Sequence, residues 1–463
     1  MKRLGMWVTG GALLFGVALP AVAQAPPATT VTSGNVNMTF GGEMRTIFYA
    51  ADNIRDFTDS ESGLFRDNEN RVLQRFRLFS AVDSPDKKAG VRFILEIGDI
   101  TWGAGGGSWG GEFGTGGART GPSTGGETGA DGVNVETKRL MFFFDVPGVP
   151  NLRVSTGLQF LDFLSSTSSG AFFGDDGAAV KVNWKADPVD LEVYWSKVAE
   201  GSIFNADDVD MWVARIGVNV TKGARFTVEG MVIDANCPNP AAAARNGCQP
   251  ADFGDDFWVG GTFGLNIGTI KLDGQLVYGQ RQIGANAEES GWGLNMGVTA
   301  PVGPVTVLGY GWYTSGDDTV GPGGASNPVN RVNDSDRLPI PVAGDSWVNP
   351  LYIAEFLLGS AILGNFNNES FIAQKPNGTY GFGGSANFAV TPTFSLGGGV
   401  AYVGATDAES NPPVGFGDSA FEVDAGFSWR IATNVRADLV GGYIIPDKGD
   451  DAWGIGTLVA FRF

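Results

Sequence analysis

The connections of this chain constrain its fold more than any single segment does. Seven of them are tight: Ser84-Pro-Asp-Lys-Lys88, Pro147-Gly-Val-Pro-Asn151, Asp187-Pro188, Thr221-Lys-Gly223, Pro301-Val-Gly-Pro304, Val390-Thr-Pro-Thr393 and Ala432-Thr-Asn434. The others are long and polar: 51–69, 103–133, 165–176, 200–207, 236–254, 282–289, 316–376, 405–417 and 447–452. Short turns at one rim and long loops at the other are the mark of an up-and-down transmembrane β-barrel. A propeller or β-helix would carry a fixed repeat, and the chain has none. Segments of period two fill the intervals and predict strands at 35–50, 70–83, 89–102, 134–146, 151–164, 177–187, 188–199, 208–221, 224–235, 255–267, 269–281, 290–301, 304–315, 377–390, 392–404, 418–431, 433–446 and 453–463. The fold class is therefore all-β: one closed antiparallel barrel of eighteen strands, with sixteen as the alternative count.

The faces of these segments agree. The second predicted strand sets Val72, Phe76, Leu78 and Val82 against Arg71, Arg75, Arg77 and Phe79. The third sets Val91, Phe93, Leu95 and Ile97 against Arg92 and Glu96. A soluble sandwich also alternates. The rim asymmetry favours the barrel, as do the aromatic residues near strand ends (Trp102, Trp184, Trp195, Trp292, Tyr443 and Trp453), where amphipathic rings suit a bilayer interface. The last segment puts Trp453, Ile455, Thr457, Val459, Phe461 and Phe463 on one face and Gly454, Gly456, Leu458, Ala460 and Arg462 on the other. It resembles the closing strand of bacterial outer-membrane barrels. That resemblance implies that the outer-membrane assembly machinery reads it, with Phe461 and Phe463 as the signal.

The N-terminus reads as an export signal. Met1-Lys2-Arg3 precedes a mostly apolar run from Leu4 to Leu19, and Ala21-Val22-Ala23 supplies a small-x-small cleavage site. Residues 1–23 are the expected signal peptide, 24–34 a disordered leader, and 35–463 the barrel. Cys237 and Cys248 flank a Pro/Ala/Asn-rich stretch. Outside the cytoplasm they are expected to form a disulfide that contributes roughly 3 kcal/mol by closing a short loop.

Composition narrows the function. The net charge is −19 and no basic block occurs, which argues against nucleic acid as a partner. The chain has no His. Ser-His-Asp and Cys-His catalysis, His-ligated zinc and c-type haem attachment are thereby excluded, and neither an enzymatic reaction nor a cofactor is expected.

Parity places charge inside the wall. The first six predicted strands turn Arg45, Arg71, Arg75, Arg77, Arg92, Arg139, Arg153, Lys181 and Lys185 inward against Glu43 and Glu96, an excess of seven positive charges. The remaining twelve give an excess of one negative charge. Eighteen strands leave room for an aqueous channel, where such side chains set selectivity. Two arrangements fit. Arg45, Arg75, Arg77, Glu43 and Arg92 line a constriction, or the bases form a ladder of ion pairs that stiffens the wall. The loops at 103–133 and 316–376 are long enough to narrow the pore. Gly316-Asp317-Asp318 and Asn333-Asp334-Ser335-Asp336 lack the spacing of a calcium loop and read as solvated.

In layout the chain resembles the alginate-export-type outer-membrane barrels and related eighteen-strand porins. The likeness rests on the strand count, the opening Gly41-Gly42-Glu43-Met44-Arg45, the basic second strand, and Tyr313-Thr-Ser-Gly-Asp-Asp318 followed by Asn349-Pro-Leu351. It implies an arginine-lined conduit for small anions or an anionic polymer. The polysaccharide exporter of that group carries a long periplasmic plug turn, whereas the corresponding turn at Ala432-Thr-Asn434 is minimal. The expected function is a passive porin for small hydrophilic anionic solutes in the bacterial outer membrane. It would contact lipid and lipopolysaccharide, with a homo-oligomer as a possible assembly. An alginate-like polysaccharide exporter is the first alternative. A structural barrel, or a sheath for an electron-transfer partner, is the second.

Overall fold

The structure is a computed structural model that describes residues 29–53, 69–102, 135–166, 170–199, 208–235, 254–282, 288–315, 378–406 and 419–463. Residues 1–28, the predicted loops 103–133 and 316–376, and the stretch carrying Cys237 and Cys248 lie outside the described residues. The strands are β1 (Thr29–Ser33), β2 (Val36–Asp52), β3 (Glu69–Asp83), β4 (Ala89–Thr101), β5 (Val135–Asp145), β6 (Leu152–Ser166) and β7 (Gly170–Ala186). They continue as β8 (Val189–Ala199), β9 (Val209–Thr221), β10 (Ala224–Ala235), β11 (Gly254–Ile267), β12 (Ile270–Gln282) and β13 (Glu288–Val302). The last are β14 (Val305–Thr314), β15 (Thr379–Thr391), β16 (Phe394–Ala405), β17 (Ser419–Ala432), β18 (Val435–Pro446) and β19 (Ala452–Arg462). From β2 onward each strand pairs antiparallel with the next, and β19 pairs with β2. The ring is therefore a closed antiparallel barrel of eighteen strands with no open edge around its circumference.

Glycine and phenylalanine make the seam. The backbones of Gly42 and Phe463 exchange both hydrogen bonds, at 2.8 and 3.0 Å. A Cβ on Gly42 would stand 2.4 Å from the Phe463 ring, so only glycine leaves space for the terminal side chain. That ring stacks on Phe76 of β3 and on Phe461. The opening Gly-Gly and the closing Phe thus fit one another across the seam.

Two expectations are corrected. Residues 29–33 are strand rather than disordered leader: β1 turns at Gly34 and pairs with Val36–Phe40. The reason is an edge. The last residue pair of β19 with β2 is Arg462 with Glu43, so the start of β2 projects below the seam and β1 covers its open backbone groups. Within the predicted loop 165–176, residues 165–166 and 170–176 are strand as well. The β6–β7 ladder continues to Ser166 opposite Gly170. Leu161, Phe163, Leu164, Phe172 and Phe173 are buried there, and that burial keeps the hairpin extended.

The outward face is apolar and open. Phe40, Met44 and Phe48 on β2, Leu140, Phe142 and Phe144 on β5, and Trp212 and Ile216 on β9 are all exposed. A continuous apolar band of this kind suits lipid and would be an aggregation surface in water. Trp102, Trp292, Tyr443 and Trp453 are exposed near strand ends. The tight turns carry their own chemistry. In the β3–β4 turn the Ser84 hydroxyl meets Asp86 at 2.7 Å and the Lys88 amide donates to the same oxygen. These bonds hold the Asp86 carboxyl below its usual range, the Ser84 contact most of all.

Candidate functional site: the basic side of the lumen

The inward face divides by height. Near the tight turns, β2 to β7 and the end of β19 enclose a cavity of about 1030 Å³. Its charged lining is Arg92, Arg139, Arg153, Lys181, Lys185 and Arg462 against Glu43 and Asp145. Phe79, Met141 and Phe143 add apolar contact. Arg92 and Arg153 both lie over the Phe143 ring, 4.8 and 4.3 Å from its centroid. Such stacking fixes the guanidinium planes while leaving their edges for hydrogen bonding.

The predicted pore-lining residues separate into two groups. Glu43, Arg92, Arg139, Arg153, Lys181 and Lys185 line the cavity. Arg77 and Glu96 stand level with Glu43 but outside the cavity lining, and Arg45, Arg75 and Arg71 stand further up β2 and β3. Arg45 is opposite Arg75, and Arg71 is opposite Tyr49. Arg77 bonds Glu96, and Arg75 reaches the same carboxylate at 3.8 Å. Arg92 therefore does not share a height with Arg45 and Arg75. It pairs with Asp83 at 2.7 Å, close to the turn.

Ion pairs are more numerous than the parity argument expects. Arg153 bonds Asp145 and Arg139 bonds Asp176, each at 2.7 Å. Lys181 stands 3.6 Å from Glu192, and Arg462 bonds Glu43. Asp83, Asp145, Asp162 and Asp176 also face inward, and each sits on a base of the wall. Together with Glu136, which stands opposite Glu96, and Lys138, they lower the excess of the first six barrel strands from seven positive charges to three. Asp83 and Asp145 share the parity of Arg75 and Arg139, so alternation alone could have found them. Lys138 was also missed. A register shift between Ile94 and Leu95 on β4 breaks the phase of β5, and Lys138 reaches Asp176 at 3.1 Å.

The opposite wall is different. Asp273, Gln275, Asn295, Glu422 and Asp424 are inward and buried on β12, β13 and β17. Toward the long-loop rim the inward face becomes apolar. Tyr49, Phe163, Tyr194, Met211, Met231, Trp258, Val277 and Trp312 belong to one buried cluster. The expectation of an aqueous channel with an unfilled interior is corrected to that extent. The hairpin of β6 and β7 packs within this cluster, because β6 touches β10, β11 and β12 across the lumen. Among the described residues no group of His, Cys, Asp or Glu is arranged to hold a metal.

An eighteen-strand barrel with a charged inner wall and an apolar outer band has the build of an outer-membrane barrel, and the solved structures of similar fold include an outer membrane protein and a porin. OpdO of Pseudomonas aeruginosa matches with a TM-score of 0.52 and 12% identity, covering 92% of this chain and 97% of that one. The outer membrane protein OpdK of the same organism gives 0.52 at 11% identity, with 92% and 98% covered. A BenF-like porin from Pseudomonas fluorescens Pf-5 gives 0.54 at 9% identity, with 92% and 98% covered. Identities this low establish a shared fold and no more. The alginate-export-type family suggested by the layout is not shown by these structures. No family model and no curated protein matches the chain.

Proposed function

We propose that the protein is a passive outer-membrane channel for small hydrophilic anions. The observation that carries this reading is the cavity, whose lining carries six bases and two carboxylates inside walls of low dielectric, with bases still in excess after Asp83, Asp176 and Glu192 pair with three of them. Such a cavity focuses its field and raises the local concentration of anions. Phe79 and Phe143 offer apolar contact beside the bases, which suits an anion with an apolar body. One solved structure of OpdK carries vanillate, a precedent for an organic ligand in a barrel of this fold. Export by a cleaved signal, insertion by the assembly machinery through Phe461 and Phe463, contact with lipopolysaccharide, and a disulfide between Cys237 and Cys248 complete the proposal. The minimal turn between β17 and β18, from Ala432 to Val435, favours diffusion of small solutes over polymer export. Purified protein in planar bilayers is expected to conduct with anions preferred. Replacing Lys181 and Lys185 by Gln removes two cavity charges and is expected to move the reversal potential toward cations. No movement in a conducting double variant would detach selectivity from the cavity.

A further inference from the structure

The hairpin of β6 and β7 leaves the wall at a definable place. β5 and β6 pair only from Asp145 and Arg153 up to Leu140 and Leu158. Gly157, beside the last pair, has φ +114, and a Cβ there would stand 2.3 Å from the Leu140 carbonyl oxygen. Above it, β6 keeps β7 as its partner but no longer pairs with β5. Leu164 at its upper end has φ 48 and is fully buried. The Leu164 side chain lies over Gly260 of β11, and its amide donates to Glu229 Oε2 of β10 at 2.8 Å. β10 and β11 are four and five strands further round the ring, so these contacts run through the lumen.

One side chain ties the hairpin to that wall. Arg215 of β9 donates through Nη2 to the Asp162 carbonyl at 3.1 Å, the Asp162 carboxylate at 3.0 Å and Glu229 at 3.0 Å, and through Nη1 to Glu192 at 3.2 Å. Tyr194 donates to the same Asp162 carbonyl at 3.0 Å. Asp162 belongs to the hairpin, whereas Glu192 and Glu229 belong to the wall. Arg215 is mostly buried, so solvent screens these pairs far less than it screens the cavity rim. A guanidinium can hold such a fork of acceptors where an ammonium cannot.

We infer that Arg215 is the positioning residue of the channel's narrow element: by binding Asp162 it holds the β6–β7 hairpin across the lumen and so sets the size limit for solutes. The inference rests on the channel reading above. It places the size filter in an element distinct from the cavity bases, which act on charge.

The test uses the full chain in liposomes, with swelling in sugars from a pentose to a trisaccharide, and heat-modifiable migration as the control for folding. Arg215→Gln is expected to admit the trisaccharide at a rate closer to that of the pentose, with charge selectivity kept. Asp162→Asn is the milder variant, because Arg215 keeps Glu192 and Glu229; it decides the matter where Arg215→Gln does not fold. A chain with Asp162→Cys and Arg215→Cys, made with Cys237→Ser and Cys248→Ser, should regain the wild-type size limit when a short bifunctional thiol reagent bridges the pair. A hairpin that merely supports the fold would show no such rescue. A second readout is free of transport: Leu164→Cys should react with a soluble thiol reagent about tenfold faster when combined with Asp162→Asn. An unchanged sugar profile and unchanged labelling in folded variants would overturn the inference. Faster labelling in a barrel that passes no solute would keep the pinned hairpin and overturn the channel reading instead.

Discussion

The two ends of this lumen share one backbone plan and differ in what the inward side chains meet. Near the tight turns, inward Arg92, Arg153 and Lys185 face a cavity and stay partly exposed. Toward the long-loop rim, inward Val277, Trp258 and Met231 are buried in an apolar cluster that the β6–β7 hairpin joins. Alternation decides which residues point inward, but it does not decide whether inward means wet. That depends on what crosses the lumen, and a crossing element needs apolar residues on both of its faces. Leu161, Asp162, Phe163 and Leu164 supply that break in the pattern.

The strongest way to break the comparison is to place one charge at each end. Val277→Asp puts a carboxylate where no solvent reaches, at a cost above about 4 kcal/mol. It is expected to abolish the heat-modifiable folded band, whereas Ala81→Asp, beside the cavity, leaves that band in place. Equal loss in both would mean that the two ends are equally packed. Next comes the seam, which closes the cavity end. Gly42→Val drives a branched side chain into the Phe463 ring and costs roughly 1–3 kcal/mol as overpacking. Less folded protein in the outer-membrane fraction is the expected result, and Gly42→Ala, which adds only the Cβ, should lose less of it. A smaller effect is expected at the aromatic platform. Phe143→Leu keeps an apolar filling but removes the ring beneath Arg92 and Arg153, and each such stack contributes about 0.5–1 kcal/mol. Weaker anion preference without loss of the folded band would show that the ring orients the bases. The least effect belongs to the exposed β3–β4 turn. Asp86 is held below its usual carboxylate range, so its contribution is present at neutral pH and is lost as pH falls through that lowered value. Asp86→Ala should leave stability unchanged at low pH and slightly reduced near neutrality, as read by thermal melts at the two pH values.

The ring and the hidden hairpin were not equally legible. Eighteen barrel strands followed from the alternation of tight and long connections, because a membrane barrel leaves few other ways to satisfy its backbone. The seam was half legible: Phe463 stood out as a terminal aromatic, whereas its seat at Gly42 required the register. The charge of the wall reads too high when Asp83 and Asp145, which lie at strand ends and share the inward parity, are left out of the inward set. Lys138 escaped because a bulge changes the phase of a strand without marking its sequence. The upper part of the inward hairpin, 165–176, reads as a loop, since its Ser, Gly and Asp residues are turn formers. The cover that β1 gives to β2 could not be read either, because the need for it arises only where β19 ends.

The central claim is that the bases of the cavity make this barrel an anion channel. The most direct measurement is the reversal potential of purified protein in a planar bilayer under a salt gradient. With a mean concentration of about 0.1 M, where the Debye length is about 10 Å, the potential is predicted to show clear anion preference. Near 1 M the length falls to about 3 Å and the preference should shrink. A reversal potential of the cation-selective sign at low salt would contradict the account, since the cavity's bases would then not govern the current.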